Sequence, residues 1–245
     1  MKREVDMVIL SDVHLGTYHC HARELQQYLK SIKPKTLVLN GDFIDSPERN
    51  EGTFPKAHMK IIKRVLKMSA KGTKVYYITE NQDDQLRRQS DFSKGHIHLR
   101  DQLLLQLHGK KYWISHGDHI GLMAPYAPIL PRLGDKGYHY LLSLSRTYHQ
   151  LRQRFCSSFA PNNPKRISKS VQAVDQFEHL ATQFAADKGC DFVICGHTHK
   201  PNMRLVKHKQ RTVTYLNAGD WVEHLTALEY NWGEWRLFSY KEVAF

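Results

Sequence analysis

Five short segments carry side chains able to hold metal ions: Asp12-Val-His14, Gly41-Asp42, Asn81, His116-Gly117 and Gly196-His-Thr-His199. Carboxylate, imidazole and amide donors in this mixture suit a pair of borderline divalent ions such as manganese, iron or zinc better than calcium or a structural zinc. One carboxylate, Asp42, is expected to bridge the two ions. Each segment alone is weak evidence, because Asp-x-His after a strand is often a turn with a cap residue. Most of the 16 histidines, His19, His58, His208 and His224 among them, have no ligand-like neighbours and read as solvated or packed rings. The combination is specific because every segment follows a short apolar run, so one sheet edge can collect all five.

The elements that must do this positioning are legible as alternating patterns. Apolar runs at Met7–Leu10, Thr36–Leu39 and Val75–Ile78 are interleaved with helical spacing over Arg23–Ile32 and Ala57–Met68, the beat of βαβ units. Gly72 follows a lysine-rich last turn and closes the second helix. Tyr112-Trp-Ile114 and Phe192-Val-Ile-Cys195 supply further strands, and Thr212 to Tyr240 reads as a meander turning at Asn231-Trp-Gly233. At about 119–189 the composition changes. Pro125, Pro128 and Pro131 precede helical spacing from Tyr138 to Phe155, and Ile167, Val171, Val174, Phe177, Ala181 and Phe184 mark a second amphipathic helix ending at Gly189. We expect one domain over 1–245 with this helical insertion as a cap over the sheet edge.

Lys and Arg number 36 against 24 acids, a formal net charge of +12, which favours polyanionic or phosphorylated partners. In the insertion, Arg132, Arg146, Arg152 and Arg154 stand beside Leu, Tyr and Phe, which suits a lipid with an anionic head or an anionic membrane surface. Nucleic acid is disfavoured, since the aromatics are not interleaved with the basic residues as stacking platforms. Cys20, Cys156, Cys190 and Cys195 form no Cys-x-x-Cys pair and read as idle thiols. No run approaches the roughly 18 apolar residues needed to span a bilayer. The expected location is cytoplasmic, at most peripheral at the inner membrane face.

The blocks Ser11-Asp-Val-His-Leu-Gly16, Asn40-Gly-Asp42, Ser115-His-Gly-Asp118 and Cys195-Gly-His-Thr-His199, in this order, resemble the calcineurin-like metallophosphoesterase superfamily over nearly the whole chain. Asn217-Ala-Gly-Asp-Trp-Val-Glu223 is similar to the branch containing UDP-2,3-diacylglucosamine diphosphatases, peripheral membrane enzymes of lipid A synthesis. The resemblance implies an α/β fold, a four-layer αββα sandwich of two mixed sheets with a helical cap insertion. It implies two divalent ions, manganese first and iron or zinc as alternatives. Asp12, His14, Asp42 and His199 would hold one ion, and Asp42, Asn81, His116 and His197 the other. It further implies hydrolysis of a diphosphate bond, UDP-2,3-diacylglucosamine to lipid X plus UMP or a related nucleotide-linked lipid. Two alternatives stay open: a phosphodiesterase or phosphatase on other compounds, and a metal-binding or nucleic-acid-binding protein with a weakened site.

One block departs from the pattern. Where the superfamily has Gly-Asn-His, this chain has Glu80-Asn81-Gln82. The family's histidine stabilises the attacked phosphoryl group and can protonate the leaving oxygen, whereas glutamine donates a hydrogen bond but gives up no proton at neutral pH. Cleaving a diphosphate expels a phosphate monoester, whose second pKa of about 6 lets it depart without an acid. An alkyl phosphodiester expels an alkoxide, which needs one. Asp42, Asn81 and Gln82 are therefore the catalytic candidates, and Gln82 suits diphosphate better than phosphodiester cleavage. Glu80 reads either as an extra ligand or as the mark of a site no longer held to catalytic geometry. Asp45 reads either as a partner orienting a ligand or as a simple turn acid.

Overall fold

The computed structural model describes residues 2–45, 54–79, 97–123 and 164–242. Strand β1 (Arg3–Leu10) is followed by α1 (Ala22–Ser31), β2 (Ile32–Asn40), α2 (Lys56–Ala70), β3 (Lys74–Ile78) and β4 (Ile97–Arg100). Next come β5 (Leu103–Leu107), β6 (Lys110–Ile114), α3 (Asp118–Met123), α4 (Pro164–Asp187) and β7 (Phe192–Cys195). The chain then runs through β8 (Asn202–His208), β9 (Arg211–Asn217), β10 (Thr226–Asn231) and β11 (Glu234–Ser239). A six-stranded sheet has the order β11-β10-β1-β2-β3-β4, and a five-stranded sheet the order β5-β6-β7-β9-β8.

Both sheets are mixed. β1 to β4 are parallel, with β10 and β11 antiparallel at one side. In the second sheet β6, β7 and β9 are parallel, flanked by antiparallel β5 and β8. Parallel strands buried on both faces read as near-continuous apolar runs, and the buried C-terminal halves of these strands, Met7–Leu10 and Leu37–Leu39 among them, are such runs. Leu37, Leu39 and Val75 face Leu25, Leu29, Ile61 and Val65 of α1 and α2. Met7, Ile9, Val38 and Ile78 face Ile114, Ile194 and Leu216 between the sheets. Trp113, Val193 and Tyr215 face Phe177, Leu180, Ala181 and Ala185 of α4. Layers follow as helix, sheet, sheet, helix. Each fully buried Leu or Ile contributes about 1.5–3 kcal/mol.

Several local expectations hold. Thr73 N–H returns to the Met68 carbonyl at 3.1 Å around Gly72, whose φ is 95°, so α2 ends as the glycine predicts. Cys20, Cys190 and Cys195 are buried free thiols, and burial pushes Cys20 up to about 12. Other expectations need correction. The tail is not one meander: β9 pairs with β7 and β8, whereas β10 crosses to β1 in the other sheet. Only β10 and β11 form the hairpin turning at Trp232-Gly233, because alternation marks a strand without naming its partner. The strands β4 and β5 carry no expectation from the sequence. Helix α4 lies on the outer face of the second sheet instead of over its edge, since its apolar stripe matches that sheet's outward residues. The remaining insertion residues, 124–163, lie outside the described residues.

Candidate metal centre

β1, β2 and β3 of one sheet and β6, β7 and β9 of the other all run toward the same edge, where each hands the chain to a short loop. Asp12 and His14 follow β1, Asp42 follows β2, His116 follows β6, and His197 and His199 follow β7. Five of these six take left-handed backbone: Asp12 at φ 51°, His14 at 54°, Asp42 at 45°, His197 at 66° and His199 at 57°. A non-glycine residue there costs on the order of 1–3 kcal/mol, a strain that concentrates at functional sites. Glycines allow the loops to interlock. A Cβ on Gly41 would lie 2.2 Å from the His116 ring, and one on Gly196 would lie 1.8 Å from Ser11 Oγ.

The hydrogen bonds fix which imidazole nitrogen faces inward. His116 Nδ1 lies 2.9 Å from the Asn40 carbonyl, which can only accept, so Nδ1 carries the proton and Nε2 faces Asp42 Oδ2 at 3.4 Å. His14 Nδ1 lies 2.9 Å from Asp45 Oδ1, leaving its Nε2 3.4 Å from His199 Nε2. His199 Nδ1 faces Asp220 Oδ2 at 3.4 Å, and its Nε2 faces Asp12 Oδ1 at 3.2 Å. Three Nε2 atoms thus converge on the carboxylates of Asp12 and Asp42, each ring anchored from behind by an oxygen. Oxygen-anchored rings turning one nitrogen inward are the arrangement that metal-ligating histidines adopt.

Ligand atoms of Asp12, His14 and His199 lie within 4.8 Å of one another, as do those of Asp12, Asp42 and His116, and of His14, Asp42 and Asp45. Asp12 is fully buried and accepts the His197 backbone N–H at 3.1 Å, besides a short hydrogen bond from Ser11 Oγ. His197 joins none of these clusters among the described residues. Its ring sits edge-on to His116, with centroids 5.3 Å apart, and stacks on Phe177. Burial and then the neighbouring His116 hold its pKa below the usual imidazole value, as a neutral ligand needs. Burial also works against the charged forms of His14 and His199, yet the carboxylates win. The Asp45 hydrogen bond carries His14 upward, and Asp12 and Asp220 carry His199 to about 10. A field that favours protonated imidazole also favours a cation in its place. The donor set therefore fits divalent ions. Asn81 and Gln82, with Glu80, lie outside the described residues; β3 delivers the chain to the same edge at Thr79.

Sequence reasoning left Asp45 open, and the structure places it on His14. It missed Asp220. This buried carboxylate faces His199, lies 3.1 Å from His224 Nδ1, and accepts the backbone N–H groups of Val222, Glu223 and His224. Burial would raise its pKa, but these partners depress it well below the carboxylate range. The signal was its place in Asn217-Ala-Gly-Asp220, where Asn217 Nδ2 also grips the Gly196 carbonyl at 3.0 Å. His58 and His224, read as packed or solvated, are packed: His58 Nδ1 accepts the Gly16 N–H at 2.7 Å.

Residues 6–201 match the model of the calcineurin-like phosphoesterase family. The chain belongs to that family. It is a metal-dependent phosphoesterase of α/β sandwich fold that uses divalent metal ions and acts on phosphorylated substrates. It is 24% identical to a UDP-2,3-diacylglucosamine hydrolase of Aeromonas salmonicida, over 94% of this chain and 91% of the relative. Another hydrolase of that name, from Stenotrophomonas maltophilia, is 25% identical over 94% and 96%. A solved archaeal phosphodiesterase aligns over 95% of this chain and 98% of its own, with 14% identity and a TM-score of 0.46. Among the described residues no helix is long and apolar enough to cross a membrane.

Proposed function

We propose that this phosphoesterase cleaves the diphosphate bond of UDP-2,3-diacylglucosamine, or of a related nucleotide-linked lipid, with manganese as its metal. The observation that carries the reading is the likeness, over more than nine-tenths of both chains, to hydrolases named for that substrate. Behind it stands the convergence of His14, His116 and His199 on Asp12 and Asp42. Bound there, two divalent ions supply Lewis acidity toward the phosphoryl oxygens and a water made more acidic than in bulk. Asp12, His14, Asp42 and His199 would hold one ion; Asp42, His116, His197 and Asn81 would hold the other. Asp45 and Asp220 keep the Nδ1 protons of His14 and His199 facing outward. Gln82 would donate a hydrogen bond to the attacked group without giving up a proton. That is sufficient because the departing phosphate monoester needs none.

The test is UMP release from UDP-2,3-diacylglucosamine by purified protein in manganese, beside Asp42→Ala. We expect release that falls by more than about a hundredfold in the variant, beyond the loss typical for outer partners of a ligand. Absence of release from a protein retaining about two metals per chain would remove this substrate and turn attention to other phosphoesters.

A further inference from the structure

Helix α2 has Lys56, Lys60, Lys63, Arg64 and Lys67 within its 15 residues and no acid, and Lys71 follows directly. At 3.6 residues per turn, the four lysines fall on one exposed stripe. Met59 and Leu66, 40% and 51% exposed, lie alongside that stripe. The opposite side, with Ile61, Val65 and Met68, is spent on the core. Arg64 is also spent, on the Leu29 carbonyl at 2.8 and 3.1 Å.

Elsewhere some surface lysines sit with acids, Lys33 with Glu4 at 3.0 Å, Lys35 with Asp6 at 2.7 Å and Lys200 with Glu223 at 3.7 Å, while Lys30, Lys110 and Lys207 have none among the described residues; what sets α2 apart is four such lysines on one stripe. Among the described residues none of the α2 lysines has such a partner. The crowding extends past the helix end. The Lys2 ammonium is held below its usual pKa by burial first, then by repulsion from Arg64, Lys71, Lys67 and Lys33. Like charges one turn apart destabilise a helix, so a stripe without acids is costly unless a polyanionic surface neutralises it.

We propose that the outer face of α2 is a docking surface for an anionic phospholipid bilayer. Lysine stems can lie along the headgroups with their ammonium ends on phosphate, while Met59 and Leu66 enter the acyl boundary. Apolar residues beside the cations favour lipid over nucleic acid: α2 itself has no Phe, Tyr or Trp to stack a base, and the exposed Tyr18 lies beside Ala57 and His58 at its N-terminal end. The N-terminal end of α2 adjoins the metal centre, because His58 accepts the N–H of Gly16, two residues past His14. A helix lying flat on the bilayer therefore brings the strand-end edge to the membrane. The surface does not depend on the substrate proposed above.

The experiment is co-sedimentation of the full chain with vesicles of phosphatidylcholine alone and of phosphatidylcholine mixed with phosphatidylglycerol. Binding is expected only to the anionic vesicles and should weaken with salt. Lys60→Gln/Lys63→Gln/Lys67→Gln should lower partitioning by about a hundredfold, each lysine near the surface contributing about fivefold. Met59→Ser/Leu66→Ser should also lower it at unchanged charge, and both variants should keep wild-type hydrolysis of a water-soluble phosphoester. Equal partitioning of the wild type and the triple lysine variant would overturn the proposal. So would binding of a single-stranded oligonucleotide through these lysines without any binding to vesicles.

Discussion

The six-stranded sheet brings Asp12, His14 and Asp42 to the candidate metal centre, while the five-stranded sheet brings His116 and His199, with His197 beside them. Carboxylates come mostly from the first and imidazoles from the second. Each sheet also supplies one acid that anchors a histidine from its own side: Asp45 behind His14, and Asp220 behind His199. Ring orientation is thus decided locally for these two, within one loop pair. The meeting of the two donor sets is decided by how closely the sheets approach. Gly41 lies against the His116 ring, and Gly196 lies against Ser11 and Asp12. Metal affinity should therefore respond to two separable kinds of damage, spacing between the sheets and orientation within each.

The largest effect should come from spacing. Gly41→Ala adds a Cβ 2.2 Å from the His116 ring at a φ of 75°, so it should destabilise the fold by about 2–4 kcal/mol and lose metal as well. Urea unfolding with parallel metal analysis measures both; a stable variant with full metal content would show that the sheets can part without harm.

Orientation should cost less. Asp220→Asn retains an oxygen for the Val222, Glu223 and His224 N–H groups but can turn an amide N–H toward His199 Nδ1. Manganese affinity should fall about 10–100-fold with little change in melting temperature. Asp45→Asn should do the same through His14. Calorimetric titration of both would separate the two anchors, and unaffected affinity in either would break the symmetry drawn between the sheets.

A smaller effect concerns pH. His199 has a folded-state pKa of about 10 against an ordinary 6.5, so its stabilisation of metal-free protein is complete below 6.5 and is lost as pH rises through 10. Metal binding expels that proton, so metal-dependent stabilisation must grow with pH over the same window. Melting curves in chelator and in manganese should therefore diverge as pH increases. Parallel curves would mean that His199 does not exchange a proton for metal.

The smallest effect is expected at Gln82, which follows β3 in the sequence. Gln82→His should raise hydrolysis of aryl or alkyl phosphodiesters by up to about tenfold, far short of the 10²–10⁴ of an evolved general acid, and diphosphate hydrolysis less. Equal changes on both substrates, in a steady-state comparison, would detach Gln82 from leaving-group protonation.

Much of the sheet was legible because buried parallel strands are near-continuous apolar runs. β1, β2, β3, β6 and β7 were all visible as such, and the helices α1 and α2 between them by their period. β4 was not, since the four residues Ile97-His-Leu-Arg100 are too few for their alternation to separate a strand from a loop. The division of the tail between two sheets was not legible either, because the partner of a strand is a long-range property. Asp220 stood in a block the sequence did mark, but its role was not legible for a related reason: its carboxylate faces His199, 21 residues earlier in the chain, and only the pairing of β7 with β9 joins them.

By itself the sequence determined the donor types, their order and their position just beyond strands, because those are local facts about residues and apolar periodicity. It also determined the lysine stripe of α2, a matter of spacing on one helix. Only the tertiary structure decided which nitrogen of each ring faces inward, which acids stand behind them, and that the two donor sets meet. Those depend on close contacts between loops far apart in the chain, set by the packing of two sheets across a shared core.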